Sequence, residues 1–435
     1  MRRSGKAESV RAPSFEYRRA PGSAGSAELF CEAIPVAHLA GRHGTPLYVY
    51  SSEMIRVRMK AFARAFRSVP HTVCYSVKAN STLAILRLVE REGAGFDVVS
   101  GGELERVLRV KRAAACHVVF SGVGKTVPEM ELALKTGILL FNVESASELR
   151  VLAATAARLK KRAPVAVRVN PDVSAKTHPY ISTGLHQHKF GVPIPEAREL
   201  YSEAARQPLL KVAGVSVHIG SQIADVSSFA AALERVADLV RDLRGQGHDI
   251  RYVDAGGGLG ISYEETPQEF EGQIAAYAGA VLRPLRGLDV HLLLEPGRSI
   301  VGAAGLLVTR VIYRKTNNSK RFLIVDAGMN DLLRPALYGA YHEIVPVVRS
   351  SGETEVADVV GPVCETGDFF ARDRELPVLA DGELLAILDA GAYGAVLGSN
   401  YNTRGKPAEM LVDGRKARVI RERESFRDQT SLERL

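Results

Sequence analysis

In the segment Tyr75-Ser-Val-Lys78-Ala-Asn80 a lysine stands directly after a short apolar run. An amine held there in a closed pocket is partly desolvated, which favours its neutral form and lets it attack an aldehyde. Taken alone, such a lysine is far more often a solvent-facing loop residue. A second segment, Asp254-Ala-Gly-Gly-Gly-Leu-Gly260, carries three consecutive glycines, Gly256, Gly257 and Gly258. Their backbone N–H groups can close around a phosphate, although glycine runs also make plain turns. A third, Glu295-Pro-Gly297-Arg298, puts a carboxylate three residues from a planar guanidinium suited to carboxylate or phosphate oxygens. A structural pair capping a loop is the plainer reading of Glu295 and Arg298.

The three segments fit one chemistry. Pyridoxal 5′-phosphate needs an amine to hold it as a Schiff base, a cradle for its phosphate, and a carboxylate against its pyridine nitrogen. That carboxylate keeps the nitrogen protonated, so the ring accepts the electron pair left when carbon dioxide departs. Racemases of similar architecture can set an arginine there and weaken the sink, so Glu295 speaks for decarboxylation.

These residues need elements to position them. Eight short β-branched runs, at 73–76, 96–99, 117–120, 138–142, 165–169, 212–218, 251–254 and 290–295, alternate with stretches of helical periodicity such as 81–92, 126–136, 145–159 and 226–243. Eight strands each followed by a helix predict a closed (β/α)8 barrel, with an open doubly wound sheet as the alternative. The barrel is favoured because a polar residue or glycine follows nearly every run: Lys78, Ser100, Ser121, Glu144, Asn170, His218, the 256–258 run and Glu295. All would share the C-terminal mouth, where barrel enzymes build their sites and where phosphate sits after strands seven and eight.

After Gly302 the pattern turns to period-2 segments, at 306–313, 321–326, 344–348, 355–360, 384–389 and 415–420, which predict a second, all-β domain. The predicted layout is a flexible N-terminal extension over 1–27, a segment over 28–51 that pairs into the β-domain, a cofactor-binding barrel over 52–303, the β-domain over 304–420 and a tail over 421–435.

Composition excludes other classes. The chain of 435 residues has ordinary globular content, 46% hydrophobic and 24% charged, with no long apolar run to span a membrane. The formal charge of +8 comes from lysines and arginines scattered among acids, without a basic run, so no nucleic acid is expected as partner. Cys31, Cys74, Cys116 and Cys364 lie far apart and form no metal-like cluster, which points to a reducing, cytoplasmic setting and no metal. The first 27 residues are basic, with no apolar stretch of a secretory signal, and read as a transit peptide or a disordered tail; Glu8 and Glu16 favour the tail.

Lys78, the glycine run and Glu295-Pro-Gly-Arg298 together resemble the alanine-racemase-like pyridoxal decarboxylases. Within them the chain is similar to the branch acting on meso-2,6-diaminopimelate. Matching stretches include Phe96-Asp-Val-Val-Ser-Gly-Gly-Glu-Leu104, Arg168-Val-Asn-Pro-Asp172, Thr177-His-Pro-Tyr-Ile-Ser-Thr-Gly184, Lys189-Phe-Gly191 and His218-Ile-Gly-Ser-Gln222. Met329-Asn-Asp-Leu-Leu-Arg-Pro-Ala-Leu-Tyr338, Cys364-Glu-Thr-Gly-Asp368 and Gly391-Ala-Tyr-Gly394 follow, so the resemblance spans about residues 28–420. Thr366 stands where that pattern has serine, which bears on details of substrate binding and not on the chemistry.

The resemblance implies that His218 stacks on the cofactor ring, that Asp97 orients Lys78, and that Ser221, Gly258 and Tyr393 hold the phosphate, with Gly256, Gly257, Gly297 and Arg298 beside them. Cys364 would return a proton, so Lys78, Cys364 and His218 form the catalytic set. It also implies a homodimer in which Cys364, Glu365 and Asp368 of one chain face Lys78 of the other. A substrate with an ammonium and a carboxylate at its distal end needs a cation and an anion together. Arg298 and Arg334 suit its carboxylates, Glu365 its ammonium, and Tyr338 and Tyr393 its remaining polar atoms. A decarboxylase of another basic diamino acid shares every cofactor residue; a non-catalytic pyridoxal-binding homologue would be expected to lack Lys78 or Cys364.

Overall fold

The computed structural model describes residues 8–11, 14–19, 26–173, 189–262, 267–349 and 352–435. The stretch Thr177–Gly184 singled out above lies outside the described residues. The chain forms two compact units, one made of Arg58–Ile261 and Gln268–Ser299, the other of Met1–Val57, Ser262–Pro267 and Ile300–Leu435.

The first unit is the (β/α)8 barrel. Its strands are β1 His71–Ser76, β2 Gly95–Val98, β3 Val118–Phe120, β4 Leu140–Val143, β5 Ala163–Asn170, β6 Leu210–Val217, β7 Tyr252–Asp254 and β8 His291–Leu294. Each pairs in parallel with the next, and β8 pairs with β1, which closes the sheet. Closure has a direct cause in the sequence: the strands are buried on both faces, so their apolar runs are continuous and leave no edge in water. Inside, Cys74, Val119, Leu140, Ala166, Ala213 and Leu293 pack as a tight cluster of small and branched side chains.

Several polar residues after the strands start helices. Ser100 Oγ accepts the Glu103 N–H at 3.2 Å and Ser145 Oγ the Glu148 N–H at 3.2 Å, and Thr126 with Glu129 forms a reciprocal capping box. Ser100, read from the sequence as a mouth residue, therefore works as a helix cap.

The second unit is β-rich. Leu47–Ser51 runs antiparallel to Gly305–Asn317 and parallel to Ala408–Asp413, as its apolar sequence predicts. Leu47, Val49, Leu306, Val308, Ala386, Leu388, Met410 and Val412 belong to its core. After Gly302, two strands were not legible in the sequence. Phe369–Pro377 carries four charged residues in a row of nine, and Ala408–Asp413, buried along most of its length, shows no alternation.

The expected flexible extension over 1–27 needs correction among the described residues. Phe15–Arg19 pairs with Glu8–Arg11 and with Ala27–Cys31 in an antiparallel sheet. Phe15 is 1% and Tyr17 2% exposed, the Tyr17 hydroxyl donates to Pro346 O, and Arg349 lies 4.0 Å over its ring. The bulk composition of the segment hid this local alternation of aromatic and charged residues.

Candidate active site

Lys78 lies in a single helical turn, Val77–Ala79, at the end of β1. Its Nζ donates to Asp97 Oδ2 at 2.8 Å, and Asp97, in β2, is wholly buried. Ser76 Oγ bridges the two strands that flank this turn, its single hydroxyl proton shared between Asp97 Oδ2 at 3.0 Å and the Glu295 carbonyl at 2.9 Å. Gly297 packs against the same turn: a Cβ there would sit 2.8 Å from Ala79 Cβ and 3.0 Å from Ser76 Cβ. The glycine of Glu295-Pro-Gly-Arg298 thus lets β8 approach Lys78.

Glu295, just past β8, is 5% exposed and accepts the Ser121 hydroxyl at 3.1 Å. Burial, and then the negative charges of Asp254 and Asp97, push its carboxyl well above the ordinary range. His218 stands just past β6. Its Nδ1 accepts the Gly257 N–H at 3.1 Å, so that nitrogen carries no proton; burial, with Arg168 and Lys78 nearby, lowers its pKa well below the usual histidine value. His218 is a neutral, flat ring facing the site.

The glycine run follows β7. A Cβ on Gly257 would strike the Glu295 carbonyl, and one on Gly258 the Gly220 carbonyl. Gly256 and Gly258 also have φ of 68° and 108°, which strain any side chain. The loop is zipped to the one after β6 by Ile223 N to Gly258 O at 2.9 Å and Gln222 Nε2 to Ile261 O at 2.8 Å. Ser221 sits in that neighbouring loop, where Arg298 Nη2 donates to its hydroxyl at 3.4 Å.

The opposite wall is rigid for other reasons. Lys125, although buried, donates to Gly122 O, Asn142 O and Glu148 Oε1, each at 2.7 Å. Arg168 pairs with Glu144 at 3.0 Å and lies 4.9 Å over the Phe190 ring. Lys78, Ser121, Arg168, Phe190, His218 and Glu295 line one cavity of about 370 Å³. A larger one, about 650 Å³, opens between Pro70, Leu282 and Leu292 at the base of the barrel, away from the strand ends that carry functional groups.

The remaining sequence candidates belong to the β-rich unit. Arg334 begins a short helix, Arg334–Tyr338, and is 4% exposed. Its Nη1 donates to His342 Nε2 at 2.9 Å, so the proton of that imidazole is on Nδ1, which donates to the Leu388 carbonyl at 2.7 Å. Tyr338 is half-buried at the far end of the same helix, and Tyr393 is held at a φ of 55°. Cys364 and Glu365 are exposed; the Cys364 N–H donates to Asn402 Oδ1 at 2.8 Å, and the Tyr401 hydroxyl reaches Glu365 at 3.5 Å.

Asp368 differs from expectation. It is 4% exposed, and its two oxygens accept the Met329 and Val363 N–H groups, both at 2.6 Å. It tethers the loop that carries Cys364 and is not free to face a substrate. Ser76, Asn142, Asp254, His342 and Asn402 were not assigned roles from the sequence. Asp254 alone had a visible signal, its place at the head of the glycine run.

An amine beside a buried acid, a cradle where no Cβ fits, a neutral imidazole and a buried carboxyl at one barrel mouth define a pyridoxal phosphate enzyme. Residues 52–302 match the family model described as the pyridoxal binding domain of pyridoxal-dependent decarboxylases. The chain is 50% identical over 415 residues to diaminopimelate decarboxylase of Pseudomonas aeruginosa, covering 95% of this chain and 97% of that one. The enzyme of the same name from Aquifex aeolicus is 47% identical over 416 residues, 95% and 96% of the two chains. The crystal structure of diaminopimelate decarboxylase from Helicobacter pylori complexed with L-lysine superposes with a TM-score of 0.86 at 44% identity, over 91% of this chain and 98% of that one. The chain belongs to the diaminopimelate decarboxylase family.

Proposed function

We propose that the protein releases carbon dioxide from meso-2,6-diaminopimelate to form L-lysine. The observation carrying this reading is the convergence of Lys78, Glu295, His218 and the glycine run on one barrel mouth, together with near-full-length identity to diaminopimelate decarboxylases.

When bound, pyridoxal phosphate supplies a protonated ring that accepts the electron pair released with carbon dioxide. Lys78 anchors it covalently, and Asp97 aims the amine. His218 offers its neutral face to the ring, and Glu295 meets the ring nitrogen. Gly256, Gly257, Gly258, Ser221 and Tyr393 hold the phosphate, with Arg298 beside Ser221. Gly297 gives the close approach to Ser76 and Ala79, on either side of the Lys78 turn, with Lys78 and Glu295 lining the same cavity.

Arg298 and Arg334 receive the substrate carboxylates, Tyr338 and Tyr393 add neutral donors, and Glu365 takes the distal ammonium. Cys364 returns a proton to the carbon that lost its carboxyl group. We place Cys364 and Glu365 in the site of a second copy, in a C2 homodimer with two equivalent composite sites. The exposure of Cys364 and Glu365 supports this arrangement. We also place the protein in the cytoplasm, a setting supported by four free cysteines; among the described residues no helix is long and apolar enough to cross a membrane.

The test is product formation by the purified protein from meso-diaminopimelate, lysine and ornithine in parallel. Lysine from the first, without diamine from the others, is the expected result. Preference for ornithine or lysine would overturn the substrate assignment and leave the cofactor chemistry standing.

A further inference from the structure

The roles above leave one buried acid at the barrel mouth without a task. Asp254, the last residue of β7, is wholly buried. Its Oδ1 accepts the Gly256 N–H at 3.0 Å, and its Oδ2 accepts Asn142 Nδ2 at 2.6 Å and the Ser216 hydroxyl at 3.2 Å. Its carboxyl and the Glu295 carboxyl, also buried, are in hydrogen-bond contact. Asn142 Nδ2 donates in addition to Ser121 Oγ at 3.1 Å, and Ser121 donates to Glu295 Oε1 at 3.1 Å. Asn142, Ser121, Glu295 and Asp254 thus close a polar ring across the ends of β3, β4, β7 and β8.

Two carboxyl groups in hydrogen-bond contact away from water cannot both be anions, so the pair holds a proton. Counting donors shows where. Asp254 accepts from three groups besides Glu295, and each favours its charged form; Glu295 accepts from one side-chain donor. The nearby cation, Lys78, is engaged by Asp97.

We propose that Asp254 is a positioning residue that stores a proton on Glu295 for delivery to the cofactor's ring nitrogen. The proposal rests on the pyridoxal reading given above. The step is one proton transfer: the O–H bond of Glu295 breaks, an N–H bond forms on the nitrogen lone pair, and Glu295 is left as a carboxylate. A pyridine that arrives unprotonated is charged by the protein. The two neighbouring carboxylates then strengthen the hold of the nitrogen on that proton.

The test is infrared difference spectroscopy on protein stripped of cofactor and reloaded with pyridoxal phosphate. Wild type should show a protonated-carboxyl band that disappears on loading, and Glu295→Gln should lack that band throughout. Asp254→Asn should weaken or abolish the band before loading, and shift upward what remains, because the anion that holds the proton on Glu295 is gone and an amide is a weaker acceptor. Ser216→Ala, which removes one donor from Asp254, should shift it downward and supplies the same test if Asp254→Asn fails to fold. The proposal is overturned if the stripped wild type lacks the band, if the band survives loading, if Glu295→Gln retains it, or if the folded Asp254 or Ser216 variant leaves it unmoved. Lysine formation is assayed separately, so a wrong substrate assignment leaves this result untouched.

Discussion

The Gly257 N–H donates to His218 Nδ1 at 3.1 Å, joining the glycine loop after β7 to the imidazole just past β6. One bond fixes both the tautomer of the ring and the height of the loop. Gly257→Ala would drive a methyl group into the Glu295 carbonyl, a backbone atom that cannot yield without moving the end of β8. Cofactor affinity should fall at least about tenfold, roughly 1.4 kcal/mol, in a titration of stripped protein with pyridoxal phosphate. Unchanged affinity would remove the loop from the site.

Lys78→Ala should abolish both the covalent cofactor and turnover. Borohydride reduction of wild type followed by peptide mapping should place the label on Lys78, beside Asp97. A label on any other lysine ends the assignment.

His342 accepts from Arg334 and is itself anchored on Leu388, so it aims the guanidinium. For His342→Ala the KM for meso-diaminopimelate should rise at least about tenfold, about 1.4 kcal/mol, with a smaller change in kcat. The cofactor absorbance should not move. A KM equal to that of wild type would free Arg334 from the substrate role.

Glu103, which accepts the Val99 N–H at 2.8 Å, is raised to about 7, chiefly by burial, from an ordinary carboxylate value of 4.5. Between those values the folded protein keeps a proton that the unfolded chain has lost. The stabilising contribution is therefore full below the ordinary value and is lost as pH rises through about 7. Glu103→Gln cannot titrate, so its denaturation midpoint should gain on wild type as pH rises through that window. A difference independent of pH would contradict the shift.

The composite site can be tested by mixing chains. Lys78→Ala and Cys364→Ala should each be nearly inactive alone. A mixed C2 dimer has one site with both defects and one with neither, so random exchange should restore about a quarter of wild-type activity. A mixture that stays inactive after subunit exchange has been verified would place the whole site within one chain.

The sequence by itself determined the barrel and its eight strands, and it marked Lys78, the 256–258 run and Glu295 as candidates for one site. That was possible because a closed parallel sheet demands continuous apolar runs, and because Lys78, the 256–258 run and Glu295 fall at strand ends where local pattern alone sets position. Tertiary structure alone decided the rest. The burial of Phe15 and Tyr17, the tether at Asp368, the aim of His342 and the ring through Asn142 and Asp254 all depend on hydrogen bonds or packing between residues distant in the chain. Asp254 and Asn142 are 112 positions apart, and no periodicity along one strand records which strand will stand beside it.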